Sequence, residues 1–214
     1  MNFMKVSASL RKFFSYILHP LLMPTTGIFI IFSSNTTDAY MPDEYRKYVY
    51  LLIISGTFIL PLCLIPFYKY RNIISGAEMK ESHERRIPLL ITAALFILTA
   101  YYLYTLPSGV LRTCRYFCTA GAAGVVFNYL INLRWKISSH MIGIGGITGL
   151  VVSLWLTHNQ SPLIFAASSI LASGILAWAR CTEGPHSKMQ IFSGYVLGIV
   201  LVILCSFISR LSGL

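Results

Sequence analysis

Long apolar segments, separated by short polar stretches, account for most of this 214-residue sequence. A membrane-spanning helix needs about 20 mostly apolar residues, and seven segments approach or exceed that length. The fourth and fifth are near the lower length limit, and the count falls to six if one short segment is re-entrant. The pattern predicts an all-α integral membrane protein, a bundle of about seven transmembrane helices. The segments are residues 14–33, 47–68, 88–106, 116–133, 141–157, 162–179 and 189–209.

The charge content excludes a water-soluble surface. Only 11% of the residues are charged and 56% are hydrophobic, which is too apolar for a soluble domain. The longest polar stretch, 69–87, is too short for a separate soluble domain, so residues 1–214 are expected to form one membrane domain. The net charge of +10 fits topology signals, anionic lipid or an anionic substrate, and no nucleic-acid partner is expected.

Three polar segments carry more charged and hydrogen-bonding side chains than simple connectors need. They are KESHERRIP (Lys80–Pro88), RWKISSH (Arg134–His140) and RCTEGPHSKMQIFSGYVLG (Arg180–Gly198). Two predicted spans separate each segment from the next, so all three polar loops should emerge on the same membrane face. Most of the 17 lysines and arginines fall on that face. The positive-inside rule favours the cytoplasmic side for that face, but an anion-binding site also gathers arginines, so the leaflet stays open. The protein is expected in the cell (inner) membrane.

Two histidines and several cations on one membrane face are suited to phosphoryl transfer. Arginine guanidinium groups bind phosphate oxygens bidentately, and a helix N-terminus adds backbone N–H donors. One of the imidazoles of His140 and His186 can attack phosphorus while the other protonates the leaving oxygen. This chemistry requires neither a metal nor another cofactor, and neither a His-Glu-x-x-His motif nor a cysteine–histidine spacing indicates one.

The third polar segment resembles a known family signature. It is similar to the third signature of the type-2 phosphatidic acid phosphatase superfamily, Arg-x5-His-x3-Asp followed by Gly-x3-Gly. Arg180 and His186 have the required spacing, and Gly194 and Gly198 follow suitably. Gln190 stands where the family has its aspartate.

The other two polar segments resemble the family's remaining signatures less closely. ISSH is similar to Pro-Ser-Gly-His, with Ser138 and His140 matching and Ser139 in place of the glycine. KESHERRIP resembles Lys-x6-Arg-Pro loosely, because Lys80 lies six residues before Arg86 rather than seven and one residue separates that arginine from the proline. The resemblance covers about residues 80–200.

The resemblance implies a role for each matching residue. His186 would be the nucleophile that becomes phosphohistidine, and His140 the general acid toward the leaving group. Gln190 would accept the N–H of the nucleophilic imidazole, but it cannot stabilise imidazolium with a negative charge. The phosphate would be bound by the Ser138 hydroxyl, the Ser139 backbone N–H and the side chains of Arg180, Arg86 and Lys80.

The resemblance thus implies a phosphatase that dephosphorylates a lipid or polyprenyl phosphate or diphosphate while the lipid tail stays in the bilayer. Two alternatives remain open. The first is a catalytically inactive member that binds anionic lipid head groups, which the degenerate first signature and Gln190 favour. The second is a small transporter or scaffold in which the basic loops only set topology.

Several other residues favour structural readings. Arg85, next to Arg86, fits a topology signal as well as a phosphate site. His19, beside a proline in the first span, is expected to be packed or hydrogen-bonded, and Asn128 to bond a neighbouring helix. Two glycine pairs, Gly145–Gly149 and Gly194–Gly198, have the spacing of close helix contacts. They could serve a homo-oligomer, but packing within one chain is favoured.

Overall fold

Helices and no strand occur in the computed structural model over the residues that it describes, 2–76, 83–107, 111–158, 163–183 and 187–212. The helices of the first part of the chain are short because prolines interrupt them, whereas those from residue 86 onward each run for about 20 residues or more. The helices are α1 (Asn2–Ile17), α2 (Met23–Phe32), α3 (Asp43–Ile54), α4 (Leu60–Cys63), α5 (Ile65–Tyr70), α6 (Arg86–Thr105), α7 (Arg112–Asn132), α8 (Ser139–His158), α9 (Leu163–Glu183) and α10 (Lys188–Leu211).

Six helical stretches in the described residues are long and apolar enough to cross a membrane. They confirm the predicted all-α membrane bundle with six to seven spanning helices. The seventh candidate, α7, has 21 residues and is a full-length helix rather than a re-entrant segment. The six stretches are Ser9–Phe32, Asp43–Tyr70, Arg86–Thr105, Ser139–Thr157, Leu163–Thr182 and Lys188–Leu211.

The polarity of α7 follows from its position inside the bundle. It packs against α2, α6, α8 and α10, and Arg115, Asn128 and Asn132 are all buried. The Arg115 guanidinium donates to the carbonyl oxygens of Leu103 and Leu106, at 3.1 and 2.8 Å. Because other helices cover most of α7, its buried polar side chains find hydrogen-bond partners, and the helix does not need a fully apolar surface.

A buried carboxylate holds the N-terminus of α7. Asp38 is fully buried, in a 3₁₀ turn over Thr37–Tyr40. Its carboxylate accepts the backbone N–H of Thr113 at 3.3 Å and that of Cys114 at 2.9 Å. An anion at a helix N-terminus satisfies otherwise unpaired amides and complements the helix dipole. This contact lies at the opposite end of α7 from the RWKISSH segment.

The two predicted glycine pairs form a seam between α8 and α10. A Cβ atom at Gly149 would lie 2.9 Å from the Cα of Ile199, and one at Gly194 would lie 2.9 Å from the carbonyl oxygen of Ser138. Gly145 and Gly198 approach the facing backbone still more closely. The pairs therefore serve packing within one chain, as the sequence favoured.

Two of the predicted spans are irregular: the first is interrupted, and the second changes its helical geometry partway along. In the first, α1 ends at Ile17, Pro20–Leu22 forms a 3₁₀ turn and α2 begins at Met23. In the second, a π-helical turn at Ser55–Ile59 separates α3 from α4. Pro20 has no N–H to donate, so the helical hydrogen-bond ladder cannot continue through it.

Candidate functional site

The described parts of the three polar loops meet at one end of the bundle, as the span count predicts. The backbone N–H of Ser138 donates to the carbonyl oxygen of Gln190 at 3.4 Å, which joins the start of α8 to the start of α10. Arg85, immediately before α6, is close enough to Arg180 near the end of α9 for the two charges to interact. The described parts of the charged loops therefore lie together on one face of the bundle.

A large cavity opens at this end and extends into the bundle. Its volume is about 1050 Å³, at the upper end of the range for small-molecule sites. On α6, lining residues run from Arg85 to Thr99, a rise of about 20 Å at 1.5 Å per residue. Toward the depth, most of the lining residues are apolar, among them Phe96, Phe117 and Leu201. The polar lining side chains that concern the predicted site are Lys12, His19, Arg85, Asn128, Ser139, His140 and Arg180.

Two arginines make the cavity mouth electropositive. Burial lowers the pKa of Arg85, and so does the positive charge of Arg180, while Glu84 acts in the opposite direction. Glu84 is itself buried, and its carboxylate accepts the backbone N–H of Ser75 at 2.9 Å. The charged form of Arg85 is therefore held in an environment that favours a bound anion.

The structure places Arg85, rather than Arg86, on the cavity wall. Arg86 is exposed and is not among the lining residues. From Arg85 along α6, the lining positions 85, 88, 89, 92, 96 and 99 follow the period of one helix face, and Arg86 points away from that face. Lys80 lies outside the described residues. The sequence pointed to Arg86 because of its distance from Lys80 and from the proline. In the folded helix, the adjacent Arg85 is the arginine that lines the cavity.

His140 lies on the cavity wall at the first turn of α8. Its Nε2 is 3.2 Å from the carbonyl oxygen of Ser15 on α1, so Nε2 carries the proton in that bond. The ring of His19 packs edge-on against it, with centroids 5.6 Å apart and an interplanar angle of 78°. His19 also lines the cavity. Two imidazoles thus lie side by side near the basic mouth.

The two serines before His140 differ in position. Ser139 lines the cavity, and its hydroxyl oxygen accepts a hydrogen bond from the Asn128 side-chain amide at 2.8 Å. The prediction that Asn128 bonds a neighbouring helix is therefore confirmed. Ser138 is fully buried behind the wall, against Gly194 of α10, and its hydroxyl has no partner among the described residues.

Gln190 takes part in a capping box at the start of α10. Its side-chain oxygen accepts the backbone N–H of Ser187 at 2.9 Å, and its own backbone N–H donates to the Ser187 hydroxyl at 3.3 Å. His186 lies outside the described residues, so its imidazole has no described contact. The Ser-x-x-Gln spacing was visible in the sequence as a capping signal. Gln190 therefore fixes the backbone immediately after His186.

Among the described residues, no group of three or more His, Cys, Asp or Glu side chains is arranged to hold a metal ion. Comparisons of the chain with protein-family models, with curated proteins and with solved structures found no match.

Proposed function

We propose that the protein is a membrane-bound phosphatase that hydrolyses a lipid or polyprenyl phosphate or diphosphate. The observation that supports this proposal is one cavity with two chemically different ends. Arg85, Arg180 and His140 lie at its mouth, and its depth is largely apolar. A ligand that fits both ends has an anionic head and an apolar tail. The depth of about 20 Å gives such a tail a place inside the bundle.

The cationic mouth favours a phosphate head group over a neutral one. Burial, and then the charge of Arg180, lower the pKa of Arg85, and a bound anion would offset both effects. Arginine forks also match phosphate oxygens in geometry. Nearby, Lys12 adds a third cation to the lining and Ser139 adds a hydroxyl. Three cationic side chains thus line the same cavity, which suits an anionic head group.

The reaction follows from the roles that the resemblance implies. An imidazole nitrogen of His186 attacks phosphorus, the bond from phosphorus to the lipid oxygen breaks, and phosphohistidine forms. Protonated His140 donates a proton to the departing oxygen. Neutral His140 then takes a proton from water, whose oxygen attacks the phosphohistidine. Phosphate leaves, His186 is regenerated and His140 is protonated again for the next turnover.

The second candidate is a site that binds anionic lipid head groups without hydrolysis. It is favoured by Gln190, whose carbonyl oxygen accepts the backbone N–H of Ser187 and which brings no negative charge to the site. A nucleophilic imidazole would then lack a carboxylate partner. A transporter or scaffold, in contrast, predicts that the histidines can be replaced without consequence.

The decisive experiment measures phosphate release by the detergent-purified protein. The substrates are phosphatidate, phosphatidylglycerol phosphate, a polyprenyl diphosphate and lipid A. We compare the wild type with His186→Ala and His140→Ala, and with His83→Ala as a control because His83 is exposed outside the cavity. We expect vanadate-sensitive release that survives chelators and is lost only in the first two variants. Binding of the lipids without release would support the non-catalytic candidate.

A further inference from the structure

We infer that His19 is a third imidazole of the site, which donates a hydrogen bond from Nε2 to an oxygen of the bound phosphoryl group. The inference rests on the proposed function, because it assumes that the cavity mouth binds such a group. His19 belongs to the first span and lies outside the part of the chain that resembles the phosphatase family. The first span would thus complete a site otherwise built by α6, α8, α9 and α10.

The break in the first span holds His19 in place. The residue has an extended backbone, with φ −67° and ψ 136°, and precedes the 3₁₀ turn that Pro20 begins. The turn packs closely on Gly143 of α8, where a Cβ atom would lie 2.8 Å from the Cγ of Met23 and 3.4 Å from the Cα of Pro20. Gly143 is three residues after His140 and therefore on the same helix face. The break after His19 therefore packs against the first turn of α8, which carries His140, the proposed general acid.

The hydrogen bonds of His19 determine which nitrogen is available. Its Nδ1 accepts the backbone N–H of Leu21 at 3.3 Å. A nitrogen that accepts carries no proton, so the neutral ring carries its proton on Nε2. Among the described residues, Nε2 has no acceptor, and the side chain lines the cavity. A half-buried N–H donor is therefore available to a ligand.

The surroundings identify the acceptor. Arg85, Arg180 and Lys12 line the same cavity, so the group that Nε2 meets is an anion. The ring of His140 is 5.6 Å away between centroids, which places both imidazoles within the span of one phosphoryl group and its leaving oxygen. Hydrogen bonds from a donor to a charged acceptor are stronger than those between neutral groups. His19 is thus a binding residue, and its part in the reaction is to hold the phosphoryl group beside His140.

Two substitutions separate this role from a structural one. His19→Asn keeps an acceptor near the position of Nδ1, so the Leu21 N–H stays paired, but it removes the donor at Nε2. His19→Gln places an amide donor near the position of Nε2 and loses the acceptor close to the backbone. We measure the thermal unfolding midpoint without ligand, the affinity for inorganic phosphate and for orthovanadate, and KM and kcat for the best lipid phosphate.

We expect His19→Asn to unfold near the wild-type midpoint and to bind phosphate and vanadate about 10-fold more weakly, the effect of losing one hydrogen bond to a charged group. His19→Gln should unfold earlier but retain most of the affinity. If His19→Asn weakens the binding of free phosphate, the phosphoryl group is the acceptor of the His19 hydrogen bond. If it weakens only the binding of the lipid, the acceptor is another part of the head group and the inference is overturned. Wild-type affinity in His19→Asn also overturns it.

The outcomes also separate this inference from the proposed function. If the wild type releases phosphate and His19→Asn matches it in affinity and KM, the proposed function stands and the inference is wrong. If the wild type binds phosphate through His19 but hydrolyses none of the lipid phosphates, the inference stands and the proposed phosphatase activity is wrong. A folded wild type that binds neither phosphate nor vanadate contradicts both.

Discussion

Adding one methyl group at Gly198 tests the seam between α8 and α10. A Cβ atom there would lie 2.7 Å from the backbone nitrogen of Gly146 and nearer still to the carbonyl oxygen of Ile142. Ordinary Cβ contacts begin at 3.4 Å, so the difference, 3.4 − 2.7, requires the helices to separate by at least 0.7 Å. The obstructing atoms are backbone and cannot rotate away as a side chain would.

The packing cost of the added methyl group is partly offset by the higher helix propensity of alanine. Overpacking a close contact costs about 1–3 kcal/mol, and backbone obstruction places Gly198→Ala near the upper value. Alanine is favoured over glycine in a helix by about 1 kcal/mol. The net destabilisation is therefore about 2 kcal/mol, or roughly 4–8 °C in the unfolding midpoint of a chain of this size.

The assay is thermal unfolding in detergent, followed by tryptophan fluorescence. The matched control is Gly174→Ala on α9, because a Cβ atom there would have no neighbour within 4 Å, and this variant should unfold at or slightly above the wild-type midpoint. Turnover should also fall in Gly198→Ala, since separating α8 from α10 moves His140 relative to the start of α10, and small misplacements slow chemistry strongly. If Gly198→Ala and Gly174→Ala behave alike, the close approach of the two helices is wrong.

Of three further predictions, two concern the cavity and one concerns the orientation in the membrane. Arg85→Gln should weaken phosphate binding about 10-fold or more, whereas the adjacent Arg86→Gln should leave it unchanged in the same titration. Gly121→Leu places a larger side chain on the cavity wall, so turnover of long-chain phosphatidate should fall while that of a short-chain analogue persists; equal losses for both would contradict a tail inside the bundle. In a variant that keeps Cys181 as its single cysteine, an impermeant maleimide should label from the cytoplasmic side; labelling only from outside would overturn the orientation that the basic loops predict.

The fold was largely predictable because hydrophobic length is a direct signal of a spanning helix. The sequence also placed the polar loops on one face, since that required only a count of spans. It did not show that α7 lies inside the bundle. Its polar residues Arg115 and Asn128 made the segment short by hydropathy, and only the surrounding helices explain why it is a full helix.

The site was predictable only in part. Motif spacing led to His140 and Arg180, which both line the cavity. Spacing also favoured Arg86 over Arg85, because a template measured along the chain cannot show which side of a helix faces inward. His19 was expected to be a packed histidine, since nothing in a single sequence brings the first span beside α8. Contacts between distant segments, such as that of His140 with the Ser15 carbonyl, have no signal in local spacing.

The irregular backbone of the first two spans gives a separate reason to place the proposed head-group site in this cavity. In lipid every backbone polar group needs a partner, so non-helical backbone is tolerated where it is buried in protein or lines a cavity. The break after His19 and the π-helical turn at Ser55–Ile59 both contribute lining residues. They also meet each other, because the Thr57 hydroxyl lies 3.4 Å from the carbonyl oxygen of Leu21 and 2.8 Å from that of Ile53. The break in the first span and the π-helical turn of the second therefore meet directly on the cavity wall. The break after His19 matters for the proposed head-group site because it brings the His19 ring beside that of His140.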